Sequence, residues 1–433
     1  MIRIKHVAAA LLALAALNGC GNNGDSANPP AAGLQATPGD GTVVVTWADD
    51  LNVDYWLFVS TDANLTTENF TTLTDIRVIR SARSPYVLCG YPDGRTLYLA
   101  MNGRTGGGPG GPGTPTINST LRAAGSAWTP GTAPATDFNG AGYAPITTCV
   151  GNALPTGIFT AVGPNAAIAT STDGVAFTAQ VAPAGFTTDL NAVAAFTVNL
   201  NIPTNPGLKI IAVGAGGASI VSTDGITWTT GVAFDAAAAI LHAIAVNAGT
   251  FIAVGDGGVA QTTADGIAWT ARASNTTVNL QGVGCNGITC IAVGDNGTIL
   301  RTVDSGTTWS VQAITGTPAL KRVAYGNFNN NLGSATTAVN TWVAVGDAGV
   351  VFFSIDNGLT WTATTVAGAA NLVAVSYLTR FIAIDSAGNS FASLDGQIWT
   401  APVPTGLAAP RGMSSNSVGF VAVGTGGGTA SSF

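Results

Sequence analysis

The sequence predicts an all-β protein in which a β-sandwich precedes a seven-bladed β-propeller that an N-terminal strand closes. Two observations support this prediction. Short β-rich runs alternate with Gly, Pro and Asp turns over residues 33–122, which is typical of a sandwich. Over residues 126–433 a unit of about 40 residues recurs, and each copy is long enough for the short strands of one propeller blade.

The composition excludes several classes of protein. The 433 residues are 46% hydrophobic and 9% charged, unlike a disordered chain, and no apolar run reaches the about 18 residues of a membrane-spanning helix. The net charge of -7 supplies no basic surface for nucleic acid. Glu68 is the only Glu, and His6 and His242 are the only His. Because acid–base catalysis and metal binding draw on these residue types, we expect no enzyme, no cofactor and no metal site.

The N-terminus is typical of an export signal. Residues 1–19 join Arg3 and Lys5 to a short apolar stretch, and they end at Leu17-Asn18-Gly19-Cys20. This ending resembles the lipobox of bacterial lipoproteins, in which the signal is removed before a Cys that is then lipidated. The resemblance implies a lipid anchor on Cys20. It also implies the outer membrane, with a periplasmic or surface-exposed chain, because no Asp follows the Cys. The alternative is an ordinary signal with a nearby Cys.

A tether and the remaining cysteines follow the signal. Residues 20–32 are small, polar and Pro-bearing, which suits a flexible linker. An exported chain meets an oxidising space, and four further cysteines allow three pairings. Cys285 and Cys290 bracket a hairpin-like turn, so we expect a disulfide between them. Cys89 and Cys149 would then join the two domains.

The first domain, residues 33–122, contains four clear strands, at 42–47, 55–60, 86–89 and 96–102. It resembles a fibronectin type III domain, because Trp47 in TVVVTW and Tyr98 in DGRTLYLAMNGR match that family's core Trp and Tyr. The resemblance implies a spacer between the membrane and the propeller. A binding module of its own is the alternative.

The propeller repeat contains an apolar-Ala-Val-Gly segment followed by Asp-Gly-x-x-Trp. Its seventh copy is divided: the first half ends the chain at Phe433, and the missing half is Ser126-Ala127-Trp128-Thr129. We therefore expect this N-terminal strand to complete the last blade and close the ring, which removes exposed sheet edges.

The Asp-Gly-x-x-Trp element resembles the Asp box, or BNR repeat, of sialidases and of propellers like the photosystem II assembly and stability factors. We interpret it as structural, with Asp accepting turn N–H groups, Gly adopting a positive φ and Trp packing between blades. The six Asp residues are Asp173, Asp224, Asp265, Asp304, Asp356 and Asp395.

Resemblance to sialidases would imply three Arg that hold a carboxylate, a Tyr nucleophile, a Glu that activates it and an Asp acid/base. The propeller has no Glu. Its only Arg residues are Arg272, Arg301, Arg322, Arg380 and Arg411. A degenerate glycoside hydrolase is therefore the alternative rather than the main prediction.

A candidate binding ring comes from the inner strands of the blades. Aligned copies such as LNAVAA, LHAIAV and LKRVAY place one residue each at one mouth of the central channel. These second-position residues are Asn191, His242, Gln281, Lys321, Val373 and Arg411, and Asp256, Asp295 and Asp347 should lie on the same face. We expect a polar ring with a basic side formed by Lys321, Arg322 and Arg411.

The opposite face offers a second candidate surface. Two long inserts, 196–209 and 327–340, should project there beside the Asp boxes. Long loops on a rigid scaffold often carry function. Asp oxygens could also hold Ca²⁺, although no calcium-binding motif is present. Glycan binding would need exposed aromatic residues, for which Tyr325 and Tyr377 are the candidates.

The sequence therefore favours a non-catalytic, monomeric envelope lipoprotein whose propeller binds a protein or a glycan. The alternatives are a degenerate sialidase-like hydrolase and a surface adhesin.

Overall fold

The computed structural model describes residues 33–89, 91, 94–105, 110–146, 156–198, 207–231, 239–312, 314, 318–328, 339–416 and 418–433. The predicted signal, Cys20 and the 20–32 tether lie outside these residues. The chain forms two compact units. Among the described residues, the first comprises those in 33–38, 43–88 and 95–120, and the second comprises those in 39–42, 89–94 and 121–433.

Seven strands in two sheets make up most of the first unit. They are β1 (Gln35–Gly39), β2 (Thr42–Thr46), β3 (Asp54–Ser60), β4 (Arg77–Ala82), β5 (Tyr86–Cys89), β6 (Thr96–Arg104) and β7 (Ile117–Thr120), with a 3-10 turn at Phe70–Thr72. One sheet has the order β1-β2-β5 and the other β4-β3-β6-β7.

Alternation along β3 decides which side chains the first unit buries. Tyr55, Leu57 and Val59 point to one side and are buried, and the Tyr55 ring meets Trp47 edge to face at 5.9 Å. Phe58 points to the other side, into a smaller cluster that Tyr98 joins. The core role predicted for Trp47 therefore has a geometric basis, whereas Tyr98 packs on the opposite side of the sheet.

The described residues of the second unit form seven four-stranded antiparallel sheets, here numbered 1 to 7. Sheet 1 contains Gly140–Pro145, Gly157–Val162, Ile168–Ser171 and Thr178–Ala179. Sheet 2 contains Leu190–Thr197, Leu208–Gly214, Ser219–Ser222 and Trp228–Thr230. Sheet 3 contains Leu241–Asn247, Thr250–Gly255, Ala260–Thr263 and Thr270–Arg272. Sheet 4 contains Leu280–Asn286, Thr289–Gly294, Ile299–Thr302 and Ser310–Gln312. Sheet 5 contains Leu320–Phe328, Val339–Gly346, Val350–Ser354 and Thr362–Thr365. Sheet 6 contains Leu372–Tyr377, Phe381–Asp385, Asn389–Ser393 and Val403–Pro404.

Sheet 7 combines strands from both ends of the second unit. It contains Pro410–Ser415, Phe420–Gly424, Thr429–Ser432 and Thr129–Pro130, with Ala430 opposite Pro130. The first strand of each sheet, called the inner strand below, lies beside the inner strands of its neighbours. The inner strand of sheet 7 lies beside that of sheet 1.

A short 3-10 turn joins the second and third strands in six sheets. These turns are Pro164–Ala166, Ala215–Gly217, Asp256–Gly258, Asp295–Gly297, Asp347–Gly349 and Thr425–Gly427. In the five turns that do not begin with Pro, the first N–H donates to the carbonyl of the residue before the inner strand, as from Asp295 to Asn279 at 3.0 Å. The turn and the start of the inner strand therefore lie at the same end of each sheet.

Apolar side chains pack between adjacent sheets. Ile211 and Val221 of sheet 2 meet Leu241 and Phe251 of sheet 3 in one cluster. In the next, Trp309 of sheet 4 packs with Ile252 of sheet 3 and is 4% exposed. Burial of such side chains stabilises the fold by about 1.5–3 kcal/mol each, so each sheet depends on its neighbours for its core.

A buried carboxylate lies beside the C-terminal strand of the second unit. Asp40 is fully buried, and it accepts hydrogen bonds from Arg122 Nε and Ser432 Oγ, both at 2.9 Å. Burial raises the pKa of Asp40 above its ordinary value, against the opposing effects of Arg122 and Ser432. Arg122 thus compensates a charge that would otherwise be costly.

Candidate functional site

One end of the second unit holds a cavity of about 560 Å³ at the start of the inner strands. Its lining contains all six residues for which binding was predicted: Asn191, His242, Gln281, Lys321, Arg322 and Arg411. The other lining residues are Asn139, Asp347, Asn371, Val373, Ser386 and Pro410. We call this cavity the mouth. It brings together side chains that lie up to 272 positions apart in the chain.

A β-bulge explains why these side chains converge. In sheets 2 to 7 the pairing of the inner strand with the second strand shifts at the second residue, as between Leu241 and Ala243. His242 is therefore an extra residue in the ladder. Asn191, Gln281, Lys321, Val373 and Arg411 occupy the same position. Because a bulge redirects a side chain out of regular alternation, six sheets each present one residue to the mouth.

Three mouth residues are paired with Asp side chains of the 3-10 turns. His242 Nε2 lies 2.7 Å from Asp256 Oδ1, and Gln281 Nε2 donates to Asp295 Oδ1 at 3.2 Å. Lys321 Nζ lies 3.5 Å from Asp347 Oδ2. The three Asp residues therefore share the face on which the sequence predicted them.

The basic side predicted for the mouth is largely neutralised. Lys321 has Asp347 as its partner, and Arg411 forms an ion pair with Asp137 Oδ2 at 3.2 Å while it donates to Asn139 Oδ1 at 2.8 Å. The sequence could not show this pairing, because Asp137 and Arg411 belong to opposite ends of the second unit. The result is a mixed polar surface rather than a cationic one.

Arg322 enters the mouth from a different position. It is the third residue of its strand, where the other inner strands have Ala or Gly. A Cβ added to Gly282 would lie 2.9 Å from Arg322 Cα, so the strands approach closely there. Arg322 Nη1 donates to the carbonyls of Gln281 at 2.7 Å and Lys321 at 2.8 Å. Burial lowers the pKa of its guanidinium, which nevertheless stays charged at neutral pH.

Sequence reasoning missed Asn139 and the residues that precede the inner strands. Asn139 is the sheet 1 counterpart of Asn191, but the sheet 1 strand lacks the apolar pattern of the other copies. In four sheets an Asp or Asn before the inner strand, directly or, for Asp137, by three residues, accepts an N–H from the turn of the preceding sheet. The pairs are Asn165 with Asp189, Gly257 with Asn279, Ala348 with Asn371 and Gly426 with Asp137, at 2.8–2.9 Å. An Asp or Asn before the inner-strand motif was the available signal.

The Asp boxes lie at the other end of the sheets. Asp265 is representative: its Oδ1 accepts N–H bonds from Ile267 at 2.8 Å and Ala268 at 2.9 Å and a hydroxyl from Thr263 at 3.0 Å. The N–H groups of Ala268 and Ile267 lower the pKa of Asp265. The other five Asp residues also accept turn N–H groups: Asp173, Asp224, Asp304, Asp356 and Asp395.

The Asp-box glycine adds an interaction between sheets. Gly266 has φ +76°, and a Cβ built on it would lie 2.6 Å from Val221 Cγ2 and 2.7 Å from Ile211 Cδ1 of the preceding sheet. Gly174 of sheet 1 lies in the same way against Val421 and Phe433 of sheet 7. Glycine is thus required for both the turn and the packing.

The two candidate aromatic residues lie away from the mouth. Tyr325 follows Lys321 by four residues, which is about 13 Å along a strand. It is half-buried against Trp342, with ring centroids 5.1 Å apart. Tyr377 packs on Phe381, and its hydroxyl donates to the carbonyl of Asn327. Neither ring is available as a stacking platform at the mouth.

Cys285 and Cys290, which face each other on the first two strands of sheet 4, are joined by a disulfide. Cys89 is also disulfide-bonded, but Cys149, its predicted partner, lies outside the described residues. The central parts of the two long inserts lie outside them as well. Among the described residues, no group of three or more His, Cys, Asp or Glu could hold a metal ion. No helix in the described ranges is long and apolar enough to cross a bilayer.

Comparison with known proteins supports the architecture of the second unit. No family model and no curated protein matches the sequence. A structure of YCF48 bound to D1 peptide is 14% identical with a TM-score of 0.53, covering 70% of this chain and 96% of that one. The WD40 β-propeller domain of Doa1 is 8% identical with a TM-score of 0.50, covering 71% and 95%. These similarities establish an all-β chain with a β-propeller and carry no information on activity.

Proposed function

We propose that the protein is a non-catalytic scaffold whose seven sheets are the blades of one closed propeller and whose mouth binds a segment of a partner protein. Pairing of Ala430 with Pro130 supports closure, because it places the N-terminal strand in the last sheet. The bond from Gly426 N–H to Asp137 Oδ1 at 2.8 Å also links sheet 7 to sheet 1.

The single observation that carries this proposal is that polar side chains converge on one cavity of about 560 Å³ from five inner strands and from the residues directly before the other two, Asn139 and Asn371. This volume lies within the about 300–1,000 Å³ of known ligand sites. Asn139, Asn191 and Gln281 contribute carboxamides, which both donate and accept hydrogen bonds and therefore match peptide N–H and C=O groups. Since Lys321 and Arg411 have acidic partners, the mouth suits a segment of mixed charge rather than a polyanion. YCF48 supplies a precedent for a peptide complex of a similar fold.

The remaining parts of the proposal concern location. Cys20 is lipidated, residues 20–32 form the tether, and the first unit is a fibronectin III-like spacer that holds the propeller away from the outer membrane. The lipobox-like ending of the signal supports the anchor. The buried Trp47 and the two-sheet arrangement support the spacer.

A sialidase-like activity is less well supported. Of the five propeller Arg residues, Arg322 and Arg411 line the mouth, whereas Arg272 donates to Thr262 and Arg301 donates to the carbonyl of Asn357. A three-Arg clamp has no counterpart in the mouth lining. An adhesin that stacks sugars on aromatic rings is also disfavoured, because Tyr325 and Tyr377 lie away from the mouth.

The test uses mature chain 20–433 carrying Cys20→Ser. The partner is captured from envelope extract and identified, and its affinity is measured by calorimetry. A variant with Asn191→Ala and Gln281→Ala should bind about 5- to 150-fold more weakly, because two hydrogen bonds contribute about 1–3 kcal/mol. Gln397→Ala, on the opposite face, should bind like the parent. If the mouth variant binds the partner with the affinity of the parent, the proposal is refuted. It is also refuted if no protein partner is captured and the protein binds sugars on a glycan array.

A further inference from the structure

We propose that the second unit has another interaction surface on the face opposite the mouth. This Asp-box face is formed by the Asp-box turns and by the described residues at the same end of the sheets, where the inner and second strands are joined. We infer that it binds a partner protein that presents apolar side chains together with Lys and Arg.

Hydrogen bonds show that the two kinds of hairpin form one face. Ser305, in the Asp box of sheet 4, donates its N–H to the carbonyl of Ile288 at 3.0 Å. Asn357, in the Asp box of sheet 5, donates from Nδ2 to Thr289 Oγ1 of sheet 4 at 3.2 Å. Ile288 and Thr289 belong to the hairpin between the first two strands of sheet 4. The turns of adjacent sheets are therefore linked side by side.

Exposed apolar side chains are concentrated on this face. Of the 14 large apolar side chains that are exposed among the described residues, ten lie here. The other four are Leu51, Val181, Ile240 and Val311. On the Asp-box turns themselves, Ile226 is 64% exposed, Ile267 50%, Leu359 56% and Ile398 79%. Apolar residues scattered singly over a surface need no explanation, whereas their concentration on one face supports the inference of an interaction surface there.

The Asp-box face also carries a negative charge. Each of the six Asp boxes contributes a carboxylate, and turn N–H groups favour the ionised form of Asp265. The nearby cations are Lys209, Arg301 and Arg380, the last in the hairpin of sheet 6, so six carboxylates meet three cations. Lys209 and Arg301 donate to backbone carbonyls of Ala264 and Asn357 at 2.7 and 2.8 Å. The face is thus apolar with a negative excess.

The sign of this charge selects the kind of partner. A bilayer with anionic lipids would be repelled by the carboxylates. A second copy placed face to face would bring like charges together, since an isologous contact uses the same surface twice. A protein segment with alternating apolar and basic residues would satisfy both the exposed Ile and Leu side chains and the carboxylates.

The experiment measures binding of a labelled synthetic peptide of alternating Lys and Leu to mature chain 20–433 carrying Cys20→Ser, by fluorescence anisotropy. The parent should bind, and more salt should weaken binding. Ile226→Ser, Ile267→Ser, Leu359→Ser and Ile398→Ser in one chain should reduce affinity at least tenfold. The matched control carries Leu51→Ser and Val181→Ser and should bind like the parent. A peptide of alternating Lys and Ser should not bind, which separates the apolar contribution from charge alone.

Circular dichroism first establishes that the fourfold variant is folded. Unchanged peptide affinity in that folded variant would overturn the inference. If the protein binds vesicles of phosphatidylcholine and phosphatidylglycerol and the same four substitutions abolish that binding, the partner is a membrane and the inference is overturned. If the parent sediments as a dimer and the four substitutions make it a monomer, the partner is a second copy of the chain and the inference is likewise overturned. The mouth variant Asn191→Ala with Gln281→Ala should retain peptide binding, so this inference and the proposed function fail separately.

Discussion

Replacement of Gly266 by Ala tests how the sheets of the propeller are held together. The substitution has two costs. The residue has φ +76°, and the left-handed conformation costs a non-glycine residue about 1–2 kcal/mol. The new Cβ would also lie 2.6 Å from Val221 Cγ2 and 2.7 Å from Ile211 Cδ1, and such overpacking costs about 1–3 kcal/mol. We expect a loss of about 2–5 kcal/mol in the free energy of unfolding.

Gly257→Ala in the same sheet is the matched control. Gly257 has φ +61°, with no atom within 4 Å of its added Cβ, and sheet 5 naturally has Ala348 at this turn position with φ 56°. Only the backbone cost of about 1–2 kcal/mol remains. Urea unfolding followed by tryptophan fluorescence measures both variants. If Gly266→Ala and Gly257→Ala lower the midpoint equally, close packing of the glycine against the preceding sheet contributes nothing and the reasoning fails.

Two further predictions concern ionisable groups. Burial opposes ionisation of Asp356, but the Thr360 hydroxyl and N–H and the Ser354 hydroxyl lower its pKa to about 2. Its contribution to stability should therefore be present above about pH 4 and lost as the pH falls towards 2, and Asp356→Asn should flatten the urea midpoint over that range. Asp40 has the opposite shift, since burial raises its pKa, so its ionisation at neutral pH disfavours the fold. Arg122→Met should destabilise the protein more at pH 7 than at pH 4, where Asp40 can take up a proton; an equal effect at both pH values would contradict this account.

Local sequence patterns were sufficient to predict much of the second unit. The recurring apolar-Ala-Val-Gly segment and the Asp box both act within a few residues, so their hairpins and turns could be anticipated without the rest of the chain. The disulfide between Cys285 and Cys290 belongs to the same class, because its two residues are opposed in one hairpin. The inner-strand alignment also identified six residues that line the mouth.

Contacts between distant segments were beyond such reasoning. The partner of Arg411 is Asp137, and that pair removes much of the basic character expected from Arg411 and Lys321. Asn139 was overlooked because its strand departs from the apolar pattern, although the fold places it beside Asn191.

The difference between the features that the sequence predicted and those that it missed has a physical reason. Turn chemistry and strand alternation depend on neighbours in the chain, so the amino-acid order alone determines the Asp boxes and the blade repeat. The bulge at His242, the approach of Gly266 to Val221 and the neutralisation of Lys321 depend on how sheets and turns meet in space. The charge and shape of the mouth are properties of that assembly, because they arise where six separate strands and the residue before a seventh converge.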